Sequence, residues 1–134
     1  MGEKIKVLLI KPLEPPQLIE IEDTLEQLRG LVGGSLQAVF PWDDPVALVC
    51  DDEGKCKGYE PNRLLVNAEG EPYDVLVGNF FITGIGVENF ISLSDELITK
   101  YTDKFRFPEI FISAPGKHVL WCRIGSEENP KMIL

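Results

Sequence analysis

Asp23-Thr24-Leu25-Glu26-Gln27-Leu28-Arg29-Gly30-Leu31-Val32-Gly33-Gly34 reads as one helix with both ends marked. Asp23 is the expected N-cap, and Glu26, three residues on, makes a capping-box arrangement. Leu25, Leu28, Leu31 and Val32 recur at helical spacing and form one apolar face. Gly33 and Gly34 close the helix, because glycine enters the left-handed conformation of a C-cap at little cost. An eight-residue amphipathic helix is not stable alone, so its face must lie on something else.

The flanking sequence supplies strands. Upstream, Ile5–Ile10 is an unbroken apolar run between Lys4 and Lys11, as a buried strand requires. Pro12, Pro15 and Pro16 force an extended turn, and Leu18–Ile21 returns as the second strand of a hairpin. Downstream, Leu36–Phe40, closed by Pro41, and Val46–Cys50 are strands. Asp51–Lys55 has turn chemistry leading into an expected return strand near Cys56–Tyr59. Asn62–Val66 fits either a strand or one helical turn, and Asn67–Pro72 is a loop with Gly70. Tyr73–Thr83 is rich in β-branched and aromatic residues, with Gly78 as a bulge or a break between two strands. Gly84 and Gly86 then open a turn.

A second helix starts at an N-cap Ser94. Asp95 and Glu96 suit its positive end and Lys104 its negative end. Its apolar stripe is Leu97, Ile98, Tyr101 and Phe105. Glu109–Ser113 and His118–Ile124 form a hairpin about Ala114-Pro115-Gly116-Lys117, which carries the Pro-Gly centre of a type II turn. The polar tail ends in Met132, Ile133 and Leu134, which either fray or dock. The expectation is an α+β fold: a largely antiparallel sheet, two helices and a C-terminal β-hairpin. Residues 1–105 form the main unit, and residues 106–134 are a hairpin extension packed on it.

The chain has 134 residues, 22 acids, 13 bases and a net charge of −9. Between Leu13 and Gly54 there are ten acids against Arg29 alone, so the whole excess lies in that segment. Such a chain is repelled by phosphate backbones, which argues against direct nucleic-acid binding. The excess serves solubility, or it meets a protein partner with a basic surface. No apolar run approaches the roughly 20 residues of a membrane helix. The start, MGEKIKVLLIKP, lacks a cleavage site, and Lys6 breaks the myristoylation pattern begun at Gly2. A cytoplasmic protein with free thiols at Cys50, Cys56 and Cys122 is expected.

Catalytic chemistry finds little support. His118 is the single histidine, and Cys122, four residues along the same expected strand, lies roughly 13 Å away at a strand rise of about 3.3 Å per residue. That is too far for a nucleophile–base pair. The spacings of Cys50, Cys56, His118 and Cys122 do not suit structural zinc. No catalytic residue, metal or cofactor is assigned. The ligand-binding candidates are Trp42, Asp43 and Asp44, an aromatic beside two carboxylates, and Asn62 with Arg63, whose guanidinium suits a phosphate or carboxylate. Asn79 joins them at the Gly78 turn. Neither Gly78-Asn79 nor Gly84-Ile85-Gly86 fits a nucleotide-binding glycine motif.

Taken in order, several blocks resemble one family. They are Asp23–Leu28 running into Leu31–Gly34, then Pro41–Cys50 with Glu53-Gly54, then Pro61-Asn62-Arg63. Tyr73-Asp74-Val75 through Gly78–Ile82 follows, and then Ser92–Glu96 with Tyr101. The chain resembles the domain-of-unknown-function 3846 family of Gram-positive bacteria, their phages and conjugative elements, over roughly residues 5–105. The resemblance implies an accessory protein of mobile DNA, often encoded near antirestriction genes, and supplies no catalytic residues. The function expected is a small acidic non-enzymatic binding protein with a counter-defence role. It would bind a host protein or sequester a small nucleotide-like ligand. One alternative is a carboxylate-dependent hydrolase of a small phosphorylated substrate using Asp43 or Asp44, with or without a metal. Another is a module that forms homo-oligomers through the C-terminal hairpin, with Trp121 as anchor.

Overall fold

The computed structural model describes residues 3–133. Gly2 and Leu134, on which the lipidation and docking readings partly rest, lie outside them. Strands β1 (Lys4–Ile10) and β2 (Gln17–Glu22) form the expected hairpin, with Ile5 opposite Ile21. There follow α1 (Leu25–Val32), β3 (Leu36–Val39), β4 (Val46–Asp51), β5 (Pro61–Val66), β6 (Pro72–Val77), β7 (Phe80–Ile85) and β8 (Phe90–Ile91). The chain ends with α2 (Asp95–Lys104), β9 (Glu109–Ala114), β10 (His118–Arg123) and β11 (Lys131–Met132).

The strands make three sheets, and every pairing is antiparallel. The main sheet runs β2-β1-β7-β4-β3 with β8 attached to β7; β5 pairs with β6; and β9, β10 and β11 form the third. The fold is α+β, as expected. Strands β1, β7 and β4 are covered on both faces, which is why they read as continuous apolar runs rather than alternating ones. On one face Ile5, Val7, Leu9, Ala47, Val49 and Phe81 meet Leu28 and Val32 of α1. On the other, Leu8, Ile10, Val46, Leu48, Phe80 and Ile82 meet Tyr101 and Phe105 at the end of α2, with Leu65 and Leu76 of the β5–β6 hairpin.

The local differences from expectation have physical reasons. Thr24, not Asp23, caps α1: its side-chain oxygen accepts from Gln27 N at 3.3 Å. Asp23 is held in the hairpin ladder, where its N–H donates to the Glu3 carbonyl at 2.8 Å. Leu25 is accordingly exposed, and Leu28 and Val32 are the buried residues of the helix. The expected strand at Cys56–Tyr59 is instead a set of overlapping turns, with Lys57 N donating to Glu53 O and Tyr59 N to Gly54 O. Both edges of β4 are already taken by β3 and β7, so no ladder is open to a returning strand. Asn62–Val66 is strand, within β5. Gly78 is the break between β6 and β7, at φ +70°. Gly84 lies inside β7 rather than in a turn, because β8 passes so close that a Cβ there would come within 2.8 Å of the Ser92 carbonyl oxygen.

The tail docks. Met132 lies opposite Leu120, and Ile133 N donates to the Val119 carbonyl at 2.9 Å. The Pro-Gly hairpin has a three-residue loop, because Lys117 also takes a positive φ of 63° after Gly116 at 78°.

Candidate functional site

The loop 41–44 leaves β3 under the constraint of Pro41 and Pro45 and lies against α2. Trp42 packs on Tyr101 with ring centroids 4.7 Å apart, and meets Phe105 edge-on at 5.8 Å. Phe105 in turn meets Phe80 of the main sheet at 5.6 Å, so the aromatic stack is rooted in the core. Asp44 turns toward α2. Its Oδ2 accepts from the Tyr101 hydroxyl at 2.6 Å and from Lys100 Nζ at 2.5 Å. Lys100 and Tyr101 hold the Asp44 carboxyl below the usual carboxylate range. Burial, together with Asp44, pushes the Tyr101 phenol well above its ordinary value, so it stays a neutral donor. A carboxylate with a lowered pKa is a weak base, which makes Asp44 a poor proton acceptor for hydrolysis.

Lys100 and Lys104 stand four residues apart on α2 and therefore share a face. Lys104 Nζ lies 5.7 Å from the Trp42 ring centroid and 6.0 Å from that of Phe105. Burial lowers its pKa, and the positive charges of Arg123 and Lys100 lower it further. Lys100 and Arg123 are neutralised by Asp44 and Glu128; no ion pair involves Lys104 among the described residues. Trp42, Asp43, Asp44, Lys100, Tyr101 and Lys104 line an open cleft of about 820 Å³, together with Val66, Asn67, Ala68 and Tyr73 of the β5–β6 hairpin. Its size is in the range of roughly 300–1,000 Å³ typical of small-molecule sites.

The sequence candidates separate. Trp42, Asp43 and Asp44 come together at the cleft; Asn62, Arg63 and Asn79 do not line it. Arg63 is fully buried, and its guanidinium donates to the carbonyls of Asn62, Glu14 and Phe105 and to Asn62 Oδ1. Asn62, equally buried, donates to the carbonyls of Ile10 and Gly78. These side chains join β5 to the main sheet and to the end of α2, and no external anion reaches them. Asn79 donates to the Leu31 carbonyl of α1, on the other face of the main sheet.

Trp121 is buried, not an exposed anchor. Its indole N–H donates to Glu109 Oε1 at 2.6 Å, and β11 covers one edge of its strand. Cys50 and Cys122 are half-buried, Cys56 is exposed, and all three are free thiols. Among the described residues no group of three His, Cys, Asp or Glu side chains is placed to hold a metal ion. No helix is long and apolar enough to cross a membrane. The acidic segment is not one surface of unopposed charge. Asp44 and Asp51 are paired with Lys100 and Lys57, and the β1–β2 register sets Glu20 and Glu22 opposite Lys6 and Lys4.

The sequence does not mark Lys100, Lys104, Asn67 or Tyr73 as site residues. Its one signal is the Lys100/Lys104 pair at helical spacing around Tyr101, which reads equally well as an ordinary solvated helix face.

The model of the family described as Domain of unknown function (DUF3846) matches residues 5–106. No curated protein and no solved structure matches the chain. The match runs from the second residue of β1 to the residue after the Phe105 cap of α2, and so takes in nearly all of the main sheet, the β5–β6 hairpin and every residue that lines the cleft. With both helices and that cleft inside the matched segment, the chain belongs to the DUF3846 family.

Proposed function

We propose that the cleft between the 41–44 loop, α2 and the β5–β6 hairpin binds a small anionic molecule bearing a flat ring, of nucleotide type, without transforming it. The observation that carries this reading is Lys104: a cation over the Trp42 ring, on the cleft wall, with no carboxylate partner among the described residues. A phosphate bound there would supply its counter-charge. Tyr73, half exposed, and Trp42 offer aromatic surfaces for a ring, and Asn67 and Asp43 offer polar contacts in the lining. Asp44 is engaged by Lys100 and Tyr101, which favours holding a ligand over hydrolysing it. In the setting that the family resemblance implies, a cytoplasmic protein of mobile DNA, such binding would act by sequestering a small signal of the host.

The test is isothermal titration of the full chain with mononucleotides, dinucleotides, unphosphorylated nucleosides and inorganic phosphate, with Trp42 emission followed in parallel. Saturable binding of a ring-bearing phosphate is expected, at least tenfold weaker in Lys104→Ala and in Trp42→Ala, with the ligand recovered unchanged in mass. Absence of binding across the panel at millimolar concentration, or binding unaffected by both substitutions, overturns the reading.

A further inference from the structure

On the opposite face of the main sheet, a second groove of about 460 Å³ opens between the start of α1, the end of β3 and the β7–β8 turn. Leu25, Phe40 and Val87 line it and are 55%, 62% and 101% exposed, and Phe90 is partly buried beside them. Single exposed apolar residues are ordinary, but apolar residues gathered in one groove mark an interaction surface. The charged residues lining it are both acidic, Asp23 and Glu88, and no lysine or arginine does so.

We propose that this groove docks a segment of a partner protein that carries a large apolar side chain flanked by lysine or arginine. The apolar lining takes the anchor, and Asp23 and Glu88 of the same lining take the flanking cations. The alternatives fit the groove less well. A second copy of the chain meeting it about a two-fold axis would set Asp23 and Glu88 against themselves on a molecule of charge −9. An uncharged apolar ligand would leave both carboxylates unanswered. Because this groove and the aromatic cleft lie on opposite faces of the sheet, the two binding proposals stand or fall separately.

Fluorescence anisotropy of the full chain with three synthetic peptides of equal length tests the proposal. One carries a phenylalanine-leucine anchor between lysines, one the same anchor between glutamates, and one lysines with the anchor replaced by serines. Only the first should bind, and at least fivefold more weakly at 300 mM than at 50 mM salt. The paired substitutions Phe40→Ser with Val87→Ser, and Asp23→Asn with Glu88→Gln, should each weaken it about tenfold, while Lys104→Ala leaves it unchanged. Equal binding of the glutamate peptide would reduce the groove to plain apolar adhesion. Equal binding of the serine peptide would reduce it to net charge. A dimer in sedimentation that dissociates in the Phe40/Val87 variant would assign the groove to a second copy. Any of these results overturns the proposal.

Discussion

Arg63 and Glu109 face each other inside the protein, Nε to Oε2 at 3.8 Å, with the side chains 0% and 4% exposed. Each is engaged on its other atoms. Glu109 Oε1 accepts from Leu64 N at 2.8 Å and from the Trp121 indole, while the guanidinium holds the carbonyls of Glu14 and Phe105. Strand β9 lies beyond the family-matched segment, so this pair fastens the C-terminal sheet to it. A buried pair adds little net stability compared with well-packed apolar residues, but removing one partner strands the other charge.

Arg63→Ala and Glu109→Ala should therefore each cost about 3–5 kcal/mol of unfolding free energy. Replacing both should cost less than the sum of the two, since neither charge is then left alone. Urea denaturation of the three variants measures it. If Arg63→Ala instead kept wild-type stability, the guanidinium would not be the internal fastener described.

The acid response should separate Asp44 from Glu109. Lys100 and Tyr101 depress the Asp44 pKa, so its contribution is in place above the unfolded carboxylate value, about 4, and is lost as pH falls through the lower folded value. Glu109 has the opposite sign. Burial raises its pKa against the pull of Trp121, Leu64 N–H and Arg63, so the cost of the ionised form exists above the folded pKa and fades as pH drops. Urea midpoints between pH 7 and pH 3 should fall less steeply below about pH 4 in Asp44→Asn than in the parent chain. A parallel decline in the two proteins would show that the Asp44–Lys100–Tyr101 contacts do not persist in solution.

The cap of α1 gives a smaller effect. Thr24→Ala should cost about 1 kcal/mol, because the Gln27 N–H loses its acceptor, and Asp23→Ala markedly less. Thermal melts of both variants decide between the two capping assignments. A larger loss at Asp23 would reinstate it as the N-cap.

These contrasts mark how far the sequence could be read. Hairpins and helices were legible because their signals are local: Ile5–Ile10 against Leu18–Ile21, the Pro-Gly loop, and Ser94 ahead of an apolar stripe. Cys56–Tyr59 misled because whether a β-prone stretch becomes a strand depends on a free neighbouring edge, and β4 has none. Arg63 and Asn62 read as ligand-binding candidates, but composition does not distinguish a guanidinium that grips a ligand from one that grips three carbonyls. Of the cleft, only the Trp42-Asp43-Asp44 side was legible. The rest comes from α2 and the β5–β6 hairpin, brought in by tertiary packing that no local pattern records.

Gly78 and Gly70 offer a matched pair in which one variable differs. Both take left-handed backbone conformations, at φ +70° and +80°. An added methyl costs roughly 1–2 kcal/mol at either position on backbone grounds alone. Gly70 has nothing within 4 Å of where that methyl would sit, whereas at Gly78 it would fall 2.5 Å from Tyr59 Cδ2. Gly78→Ala must therefore displace the Tyr59 ring, whose hydroxyl donates to the Gly33 carbonyl at the end of α1. Gly70→Ala should show the backbone cost only, and Gly78→Ala a distinctly larger loss in urea denaturation. Adding Tyr59→Ala should remove most of the difference caused by the clash, although Tyr59→Ala alone is destabilising. Equal losses at Gly70 and Gly78 would mean that the Tyr59 ring yields without cost, and that its packing across the β6–β7 break contributes little to holding the two sheets together.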